Sequence, residues 1–115
     1  RAYKIFKKKK YEIVTNTFKR SFPKGQSVEI VKSNIFLKNS KEIMSDLAYK
    51  EHVTKYFYVN YKNFNIYNFE NRKNFSKVNL SIDTLGDYKK IKKIIINLKK
   101  IFKWQTAVKK YILLK

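Results

Sequence analysis

The sequence predicts an α/β fold in which a small sheet is combined with several helices. Three observations predict it: early runs of β-branched and aromatic residues, later alternations of apolar and polar residues, and a lysine-rich C-terminal segment with helical spacing of its apolar residues. In chain order the segments are strand, strand, helix, helix, strand, strand, helix, a mixture typical of α/β proteins. With so few strands, several helices would lack a full surface to pack on. We therefore expect the chain to contain only a portion of a larger sheet.

The N-terminal third contains the first two predicted strands. Residues 11–15 and 28–31 are rich in β-branched and aromatic side chains. Pro23 and Gly25 lie between them and predict a turn or a close backbone passage. Ser33 is then the predicted N-cap of a helix that includes Ile35, Phe36 and Leu37.

The middle of the chain predicts a mixture of helix and strand. Residues 40–47 are polar and predict either a loop or a short helix. Residues 49–58 carry apolar side chains at helical spacing. Residues 64–69 and 78–82 alternate apolar and polar residues, and 78–82 is the better strand candidate because a helix signal follows it at once.

The C-terminal helix signal starts at a predicted capping box. Thr84 is the expected N-cap, and Asp87 three residues later completes the arrangement. The expected apolar stripe consists of Tyr88, Ile91, Ile95, Leu98 and Phe102. A second helical stripe runs from Trp104 to Ile112 after a bend.

Composition excludes several classes of protein. The 115 residues are 43% hydrophobic and 17% aromatic, which excludes a disordered tail. With no cysteine, disulfides, cysteine-based zinc sites and thiol catalysis are excluded. The apolar run at residues 94–96 is far shorter than the roughly 20 residues of a membrane span, so we expect no membrane insertion.

The charge of the chain raises an alternative function. Lys and Arg number 28 against 8 Asp and Glu, a net charge of +20 that would attract nucleic acid, as in a ribosomal protein. Lysine far outnumbers arginine, however, and arginine is the residue suited to bidentate contacts with bases and phosphates. Lys, Ile, Asn, Tyr and Phe are also encoded by A/T-rich codons, so an A/T-rich genome can raise all of them without selection for nucleic-acid binding. We therefore expect nucleic-acid binding to be non-specific.

Two scarce carboxylates are candidate site residues. Glu29 lies in an apolar strand pattern, so it must face solvent or find a partner. Asp83 lies between a predicted strand and a helix, where the ligand crevice of open α/β sheets forms and where a carboxylate suits Mg²⁺. The alternative for Asp83 is a capping role at the helix N-terminus. His52 is the single histidine, which makes a zinc site untenable.

Three segments, residues 16–30, 50–58 and 80–88, together resemble one family. They contain Asn-Thr followed by Arg, a Pro-x-Gly turn and Glu, then Glu-His-Val-Thr, then Ile-Asp-Thr-x-x-Asp before a helix. In order and spacing, over residues 10–103, the chain resembles the C-terminal half of the cytidylyltransferases named after spore coat polysaccharide biosynthesis protein F. That family is related to the 3-deoxy-manno-octulosonate and acylneuraminate cytidylyltransferases.

The resemblance implies both a fold and a reaction. The fold would be the C-terminal part of a nucleotide-diphospho-sugar transferase fold, which is Rossmann-like. The reaction would transfer CMP from CTP to a sugar acid or related sugar in surface polysaccharide biosynthesis, with Mg²⁺ and release of pyrophosphate. A cytoplasmic homodimer is also expected. The further alternative is a module without catalytic activity whose helices bury their apolar faces against a second subunit.

The resemblance also implies roles for individual residues. Asp83 matches a late aspartate that helps to bind the metal, and Glu29 matches a position near the sugar pocket. Four further residues match motif positions expected to bind substrate: Asn16, Arg20, Glu51 and His52. It assigns no catalytic residue.

The family's N-terminal half, with its nucleotide-binding loop and an early metal-binding aspartate, has no counterpart in the sequence. We therefore expect residues 1–115 to be the C-terminal portion of a single cytidylyltransferase-like domain. The chain also lacks an initiator Met, as a fragment would. Alone, it is expected to be inactive.

Overall fold

The computed structural model describes residues 1–8, 10–96, 98 and 102–114. They form two compact units. The first, unit 1, comprises Arg1–Lys19 and Val28–Glu70, and the second, unit 2, comprises Arg20–Ser27 and Asn71–Lys115.

Unit 1 contains a three-stranded mixed sheet. Its strands are β1 (Ile13–Thr15), β2 (Glu29–Val31) and β3 (Ile66–Asn68), in the order β2-β1-β3. The central strand β1 pairs antiparallel with β2, so that Thr15 lies opposite Glu29, and parallel with β3. The sheet is small, and each strand lies inside a segment for which the sequence predicts one.

Five helices and one 3₁₀ turn complete the described part of unit 1. They are α1 (Ala2–Phe6), α2 (Ser33–Lys38), α3 (Ser40–Ser45), α4 (Leu47–Glu51), α5 (Val53–Val59) and the turn Tyr61–Asn63. The short-helix alternative for residues 40–47 is therefore correct. The predicted N-cap at Ser33 is wrong, because Lys32 occupies the cap position and Ser33 is already helical.

His52 divides the helix that the sequence predicts over residues 49–58. Its backbone adopts φ −128° and ψ 75°, outside the helical region. Its N–H closes α4 on the carbonyl of Ala48, and its carbonyl accepts from the N–H of Lys55 at 2.9 Å in α5. Apolar periodicity continues across this junction, which is why the spacing predicts one helix where there are two.

The core of unit 1 lies between the sheet and its helices. Ile13, Ile35, Ile43 and Phe57 are buried there, with Val31, Val53, Tyr56, Phe64 and Ile66 among the side chains that pack around them. Phe57 is fully buried, and burial of a side chain of that size contributes about 2 kcal/mol. This core fixes β1 and α5, the two elements that carry the polar groups described below.

Unit 2 contains the helices α6 (Leu85–Ile96) and α7 (Trp104–Leu113). The capping box at the start of α6 is confirmed: the N–H of Asp87 donates to Thr84 Oγ1, and that of Thr84 donates to Asp87 Oδ2, both at 3.1 Å. The bend before α7 is confirmed as well, because Lys103 at the N-cap of α7 has an extended backbone with φ −78° and ψ 147°. Residues 97 and 99–101 lie outside the described residues, and none of them belongs to the predicted apolar stripe.

The strand that the sequence predicts over residues 78–82 does not form in the described structure. Asn79 makes a single parallel bridge with Lys24, flanked by two backbone hydrogen bonds. Beyond it, the N–H of Ser81 donates to Asn79 Oδ1, and the Ser81 hydroxyl shares its one hydrogen between Asn79 Oδ1 and Asp83 Oδ2. These local bonds replace a ladder, so the alternating pattern marks an extended segment only.

The buried face of α6 differs from the predicted stripe. Ile94 is 2% exposed, whereas Ile95 is 50% exposed. Ile94 packs with Val78, Val108 and other apolar side chains of unit 2, with Trp104 at the edge of this core. Three consecutive isoleucines leave the register of α6 ambiguous in the sequence, and packing against α7 selects the first of them, Ile94. No described helix is long and apolar enough to cross a bilayer.

Candidate functional site

Asn16 follows β1 and extends its pairing with the chain that leads into β2. Its N–H donates to the carbonyl of Val28, and its side-chain Oδ1 accepts from the N–H of Val28 at 2.8 Å. The residue is 2% exposed. The Oδ1 of this predicted substrate-binding residue is thus committed to the backbone, which fixes the approach to Glu29.

Glu29 is the centre of a polar network at the end of β1, the Glu29 cluster, formed with Thr15, Thr17 and Tyr58. Thr17 Oγ1 donates to Glu29 Oε1 at 2.9 Å, and the Tyr58 hydroxyl donates to the same oxygen. Thr15 Oγ1 lies 2.9 Å from Thr17 Oγ1 and 3.0 Å from Tyr58 Oη. Glu29 itself is exposed, so this carboxylate has found partners and also faces solvent.

Burial is the main reason why the pKa of Tyr58 rises to about 12, and its hydrogen bond to Glu29 raises the pKa further toward that value. The phenol is therefore protonated at neutral pH and acts as a donor. The Glu29 carboxylate oxygen Oε1 is the matching acceptor.

Aromatic rings form a wall beside the cluster. The Phe18 ring stacks on that of Tyr58, with 5.2 Å between centroids and 27° between planes. Tyr61 lies 5.6 Å from Phe18 on the same wall. Phe18 is 41% exposed, so an apolar face remains accessible next to the carboxylate network.

Glu51 and His52 lie at the junction of α4 and α5. Both side chains are exposed, and Glu51 Oε1 is 3.9 Å from His52 Nε2. No described hydrogen bond joins either of them to the Glu29 cluster. The structure therefore places these two predicted site residues side by side on the surface of unit 1.

In unit 2, the Pro23–Gly25 turn lies against the segment that leads to Asp83. Gly25 has φ +87°, and Lys24 pairs with the backbone on both sides of Asn79. Arg20, at the start of this loop, donates from Nη1 to Ser27 Oγ at 3.1 Å. Two of the three sequence motifs thus meet, through their backbones, in one unit.

Asp83 belongs to a polar loop that precedes α6, the Asp83 loop, which comprises Asn79, Ser81, Asp83, Thr84 and Asp87. Ser81 Oγ donates to Asp83 Oδ2 at 2.8 Å, and Asn79 Nδ2 donates to Asp87 Oδ1 at 3.0 Å. Asp87 Oδ2 accepts from the backbone N–H groups of Asp83 and Thr84 and from the Thr84 hydroxyl. The capping role is therefore filled by Thr84 and Asp87 together, and Asp83 is left exposed.

These bonds hold the pKa of the Asp87 carboxyl below its usual value. The hydrogen bond from the Thr84 hydroxyl is the main cause, with the backbone donors adding to it. Asp87 is thus an ionised structural group whose oxygens are occupied.

The donor set of the Asp83 loop suits only part of a magnesium site. Among the described residues, no three His, Cys, Asp or Glu side chains come together to hold a metal ion. Mg²⁺ is commonly held by one or two carboxylates together with water and substrate phosphates. Asp83 fits that arrangement as a single carboxylate ligand, with phosphate oxygens needed to complete it.

Three residues of the Glu29 cluster, Thr15, Thr17 and Tyr58, have no role assigned from the sequence. Thr15 and Thr17 are two residues apart, so their side chains extend from the same face at the end of β1. This spacing of two threonines at the end of a strand is the sequence pattern from which the threonine part of the network could have been predicted. Tyr58 could not be found that way, because 41 residues separate it from Thr17 and only tertiary packing brings them together.

Comparisons with known proteins bear on this geometry. The chain matches neither a protein-family model nor a curated protein. Among solved structures, a cytidylyltransferase from Leptospira borgpetersenii serovar Hardjo-bovis (strain JB197) is similar over 94% of this chain, with 26% identity and a TM-score of 0.79. The chain spans 46% of the length of that protein. The mixed α/β fold is therefore similar to part of a cytidylyltransferase, in agreement with the family resemblance of the sequence.

Proposed function

We propose that the chain is part of a nucleotidyltransferase that transfers CMP from CTP to a sugar acid or related sugar and releases pyrophosphate. The observation that carries this proposal is the similarity to a cytidylyltransferase over nearly the whole chain. The three ordered sequence motifs agree with it. The small sheet would then be the C-terminal part of a Rossmann-like nucleotide-diphospho-sugar transferase fold.

In this proposal Asp83 is a ligand of Mg²⁺. When bound, the ion would neutralise charge on the phosphates of CTP. The loop supports the assignment because Thr84 and Asp87 form the capping box of α6, while Asp83 is exposed and accepts from Ser81. Arg20 is proposed to contact an anionic part of the substrate, since a guanidinium suits phosphate or carboxylate.

The sugar is proposed to bind at unit 1. Glu29 offers an exposed carboxylate, which accepts from the Tyr58 hydroxyl. Phe18, whose ring stacks on that of Tyr58, offers an exposed apolar face. Glu51 and His52 are proposed to contact substrate from the junction of α4 and α5. Asn16 is proposed to act through the backbone, because it holds the segment before Glu29 in place.

The remaining expectations follow from the same family resemblance. We propose a cytoplasmic homodimer that acts in surface polysaccharide biosynthesis, as in spore coat formation. Because 46% of the similar cytidylyltransferase is matched, we propose that the 115 residues alone do not activate CTP.

The test measures pyrophosphate release from CTP and Mg²⁺ with a panel of sugar acids, using the product of the complete gene and the 115-residue chain separately. The complete product should be active with at least one sugar acid, and the chain alone should be inactive. Activity with no sugar acid would contradict the proposed function, and activity of the chain alone would contradict the proposed division of the enzyme.

Substitution of Asp83 tests its role in the same assay. Asp83→Asn removes the charge without changing the size of the side chain, so Mg²⁺-dependent activity should fall by about 100-fold or more. Asp46→Asn is the matched control: it removes one carboxylate from the cap of α4, where asparagine is an equally good cap. Equal activity of the two variants would contradict the metal role.

Nucleic-acid binding is proposed to be non-specific. A net charge of +20 attracts phosphate through counterion release regardless of sequence. Binding to unrelated RNA sequences should therefore be equally weak and should fall together as salt is raised. A marked preference for one sequence that survives high salt would instead support the ribosomal-type alternative.

A further inference from the structure

Two hydroxyl groups donate to one oxygen of Glu29, and a third hydroxyl contacts both of them. The donors to Oε1 are Thr17 and Tyr58, and the third hydroxyl is that of Thr15. Thr15 is fully buried at the end of β1, and Tyr58 is half-buried on α5. Two elements fixed by the same core therefore hold one carboxylate oxygen.

The direction of the hydrogen bonds follows from the number of protons. A hydroxyl has a single hydrogen, and those of Thr17 and Tyr58 are used on Glu29. The Thr15 oxygen accepts from the N–H of Thr17 at 3.0 Å, so its own hydrogen is given to Thr17 Oγ1 or Tyr58 Oη. Each of the three hydroxyl protons is therefore donated either to the carboxylate or to a hydroxyl that donates to it, so Glu29 Oε1 is the final acceptor of the network.

This arrangement leaves the second carboxylate oxygen for a ligand. No described residue donates to Glu29 Oε2, and the side chain is exposed. A negative oxygen of this kind accepts from O–H or N–H groups and repels phosphate. The exposed ring of Phe18 beside Tyr58 adds an apolar surface, and an aromatic wall with few placed polar groups is typical of small-molecule sites.

We infer that Tyr58, assisted by Thr17, is a positioning residue that fixes Glu29 so that Oε2 accepts a hydroxyl group of the acceptor sugar. This inference rests on the proposed function, because it takes the sugar as the ligand. It adds that Glu29 is oriented by residues outside its own strand, and that the acceptor is recognised through a neutral hydroxyl.

The free protein provides a test that needs no substrate. Tyr58→Phe keeps the ring stacked on Phe18 and removes only the hydroxyl, so the Glu29 side chain should become more mobile in ¹³C NMR relaxation. Tyr61→Phe removes a hydroxyl from the same aromatic wall and should leave Glu29 unchanged. Equal mobility of Glu29 in both variants and the wild type would overturn the inference.

Kinetics of the complete gene product provide the second test. Tyr58→Phe should raise KM for the acceptor sugar by about tenfold, the cost of one hydrogen bond to a charged group, and leave KM for CTP unchanged. Thr17→Val should behave in the same way, and Thr17→Ser, which keeps the hydroxyl, should restore the wild-type KM.

The outcomes separate the inference from the proposed function. A wild-type protein that releases no pyrophosphate with any sugar contradicts the proposed function, and the acceptor role falls with it, while the NMR result still decides whether Tyr58 positions Glu29. An active wild type whose Tyr58→Phe variant keeps its KM for the sugar overturns the inference alone. A similar rise in both KM values also overturns it, because that pattern indicates a general structural role.

Discussion

A Cβ atom placed on Gly25 would lie 2.8 Å from the carbonyl carbon of Leu80, closer than real Cβ atoms come to backbone. The glycine also has φ +87°, a conformation that side chains disfavour. The Pro-x-Gly turn is therefore required for the close passage that places the Asp83 loop. Gly25 belongs to a motif that resembles a functional signature, but the glycine itself is required by the backbone conformation and the close approach to Leu80.

Gly25→Ala should destabilise the protein by about 2 kcal/mol or more, because backbone atoms of Leu80 and Ser81 would have to move and the conformation is strained. Urea unfolding of the wild type and the variant measures the change. Gly86→Ala is the matched control, since Gly86 is in α6 and an added Cβ meets only Thr84 Oγ1 at 3.6 Å. It should stabilise by about 0.5–1 kcal/mol, and equal effects of the two variants would contradict the explanation.

The cap of α6 should be sensitive to acid. Because the pKa of Asp87 is lowered in the folded state, its contribution to stability is complete above the usual carboxyl pKa and is lost as pH falls through the lowered value. Asp87→Asn should therefore be less stable than the wild type at about pH 7 and equally stable at about pH 2.

Denaturant unfolding at several pH values measures this difference. Thr84→Ala removes the reciprocal partner and should cost about 1 kcal/mol at neutral pH. The effects of Thr84→Ala and Asp87→Asn should not add, since each breaks the same box. A difference between wild type and Asp87→Asn that stays constant across pH would argue against the cap as its cause.

Local signals in the sequence predict much of the fold, and tertiary contacts decide the rest. The capping box of Thr84 and Asp87 is a local pattern and is confirmed. The strand predicted over residues 78–82 does not form, although its residues do alternate between apolar and polar. The segment opposite it is a loop that contains Pro23, and this loop cannot supply a ladder of backbone hydrogen bonds.

The candidate site follows the same division. Glu29 and Asp83 stand out in sequence because carboxylates are scarce, and the structure gives each a local network. The donor from Tyr58 escapes prediction because α5 reaches the end of β1 only through packing of the core around Phe57. Glu29 lies in unit 1 and Asp83 in unit 2, and each network is built from residues of its own unit.

The register of α6 can be tested with two adjacent isoleucines. Ile94→Ala should destabilise by about 3 kcal/mol, because it leaves a cavity beside Val108 and its neighbours. Ile95→Ala, one residue further along and half-exposed, should cost less than about 1 kcal/mol. Chemical denaturation of both variants decides the register, and a larger cost for Ile95→Ala would restore the stripe expected from the sequence.

The phenol of Tyr58 should titrate late. Its folded-state pKa of about 12 lies above the ordinary value of 10.0, so the stability it contributes is complete below pH 10 and is lost as pH rises through about 12. The ultraviolet absorbance of tyrosinate, followed during an alkaline titration, should contain a late step that Tyr58→Phe removes. Burial also raises the pKa of Tyr56, so part of the late step should persist in that variant.

Glu29→Gln separates the two causes of the late titration. Glutamine keeps the size of the side chain and removes the charge, so only the part of the Tyr58 shift that comes from the carboxylate should disappear, and the part caused by burial should remain. The late step should therefore move to lower pH without reaching 10. A titration of Glu29→Gln that matches the wild type would show that the carboxylate does not hold the phenol proton, contrary to the hydrogen bond in the Glu29 cluster.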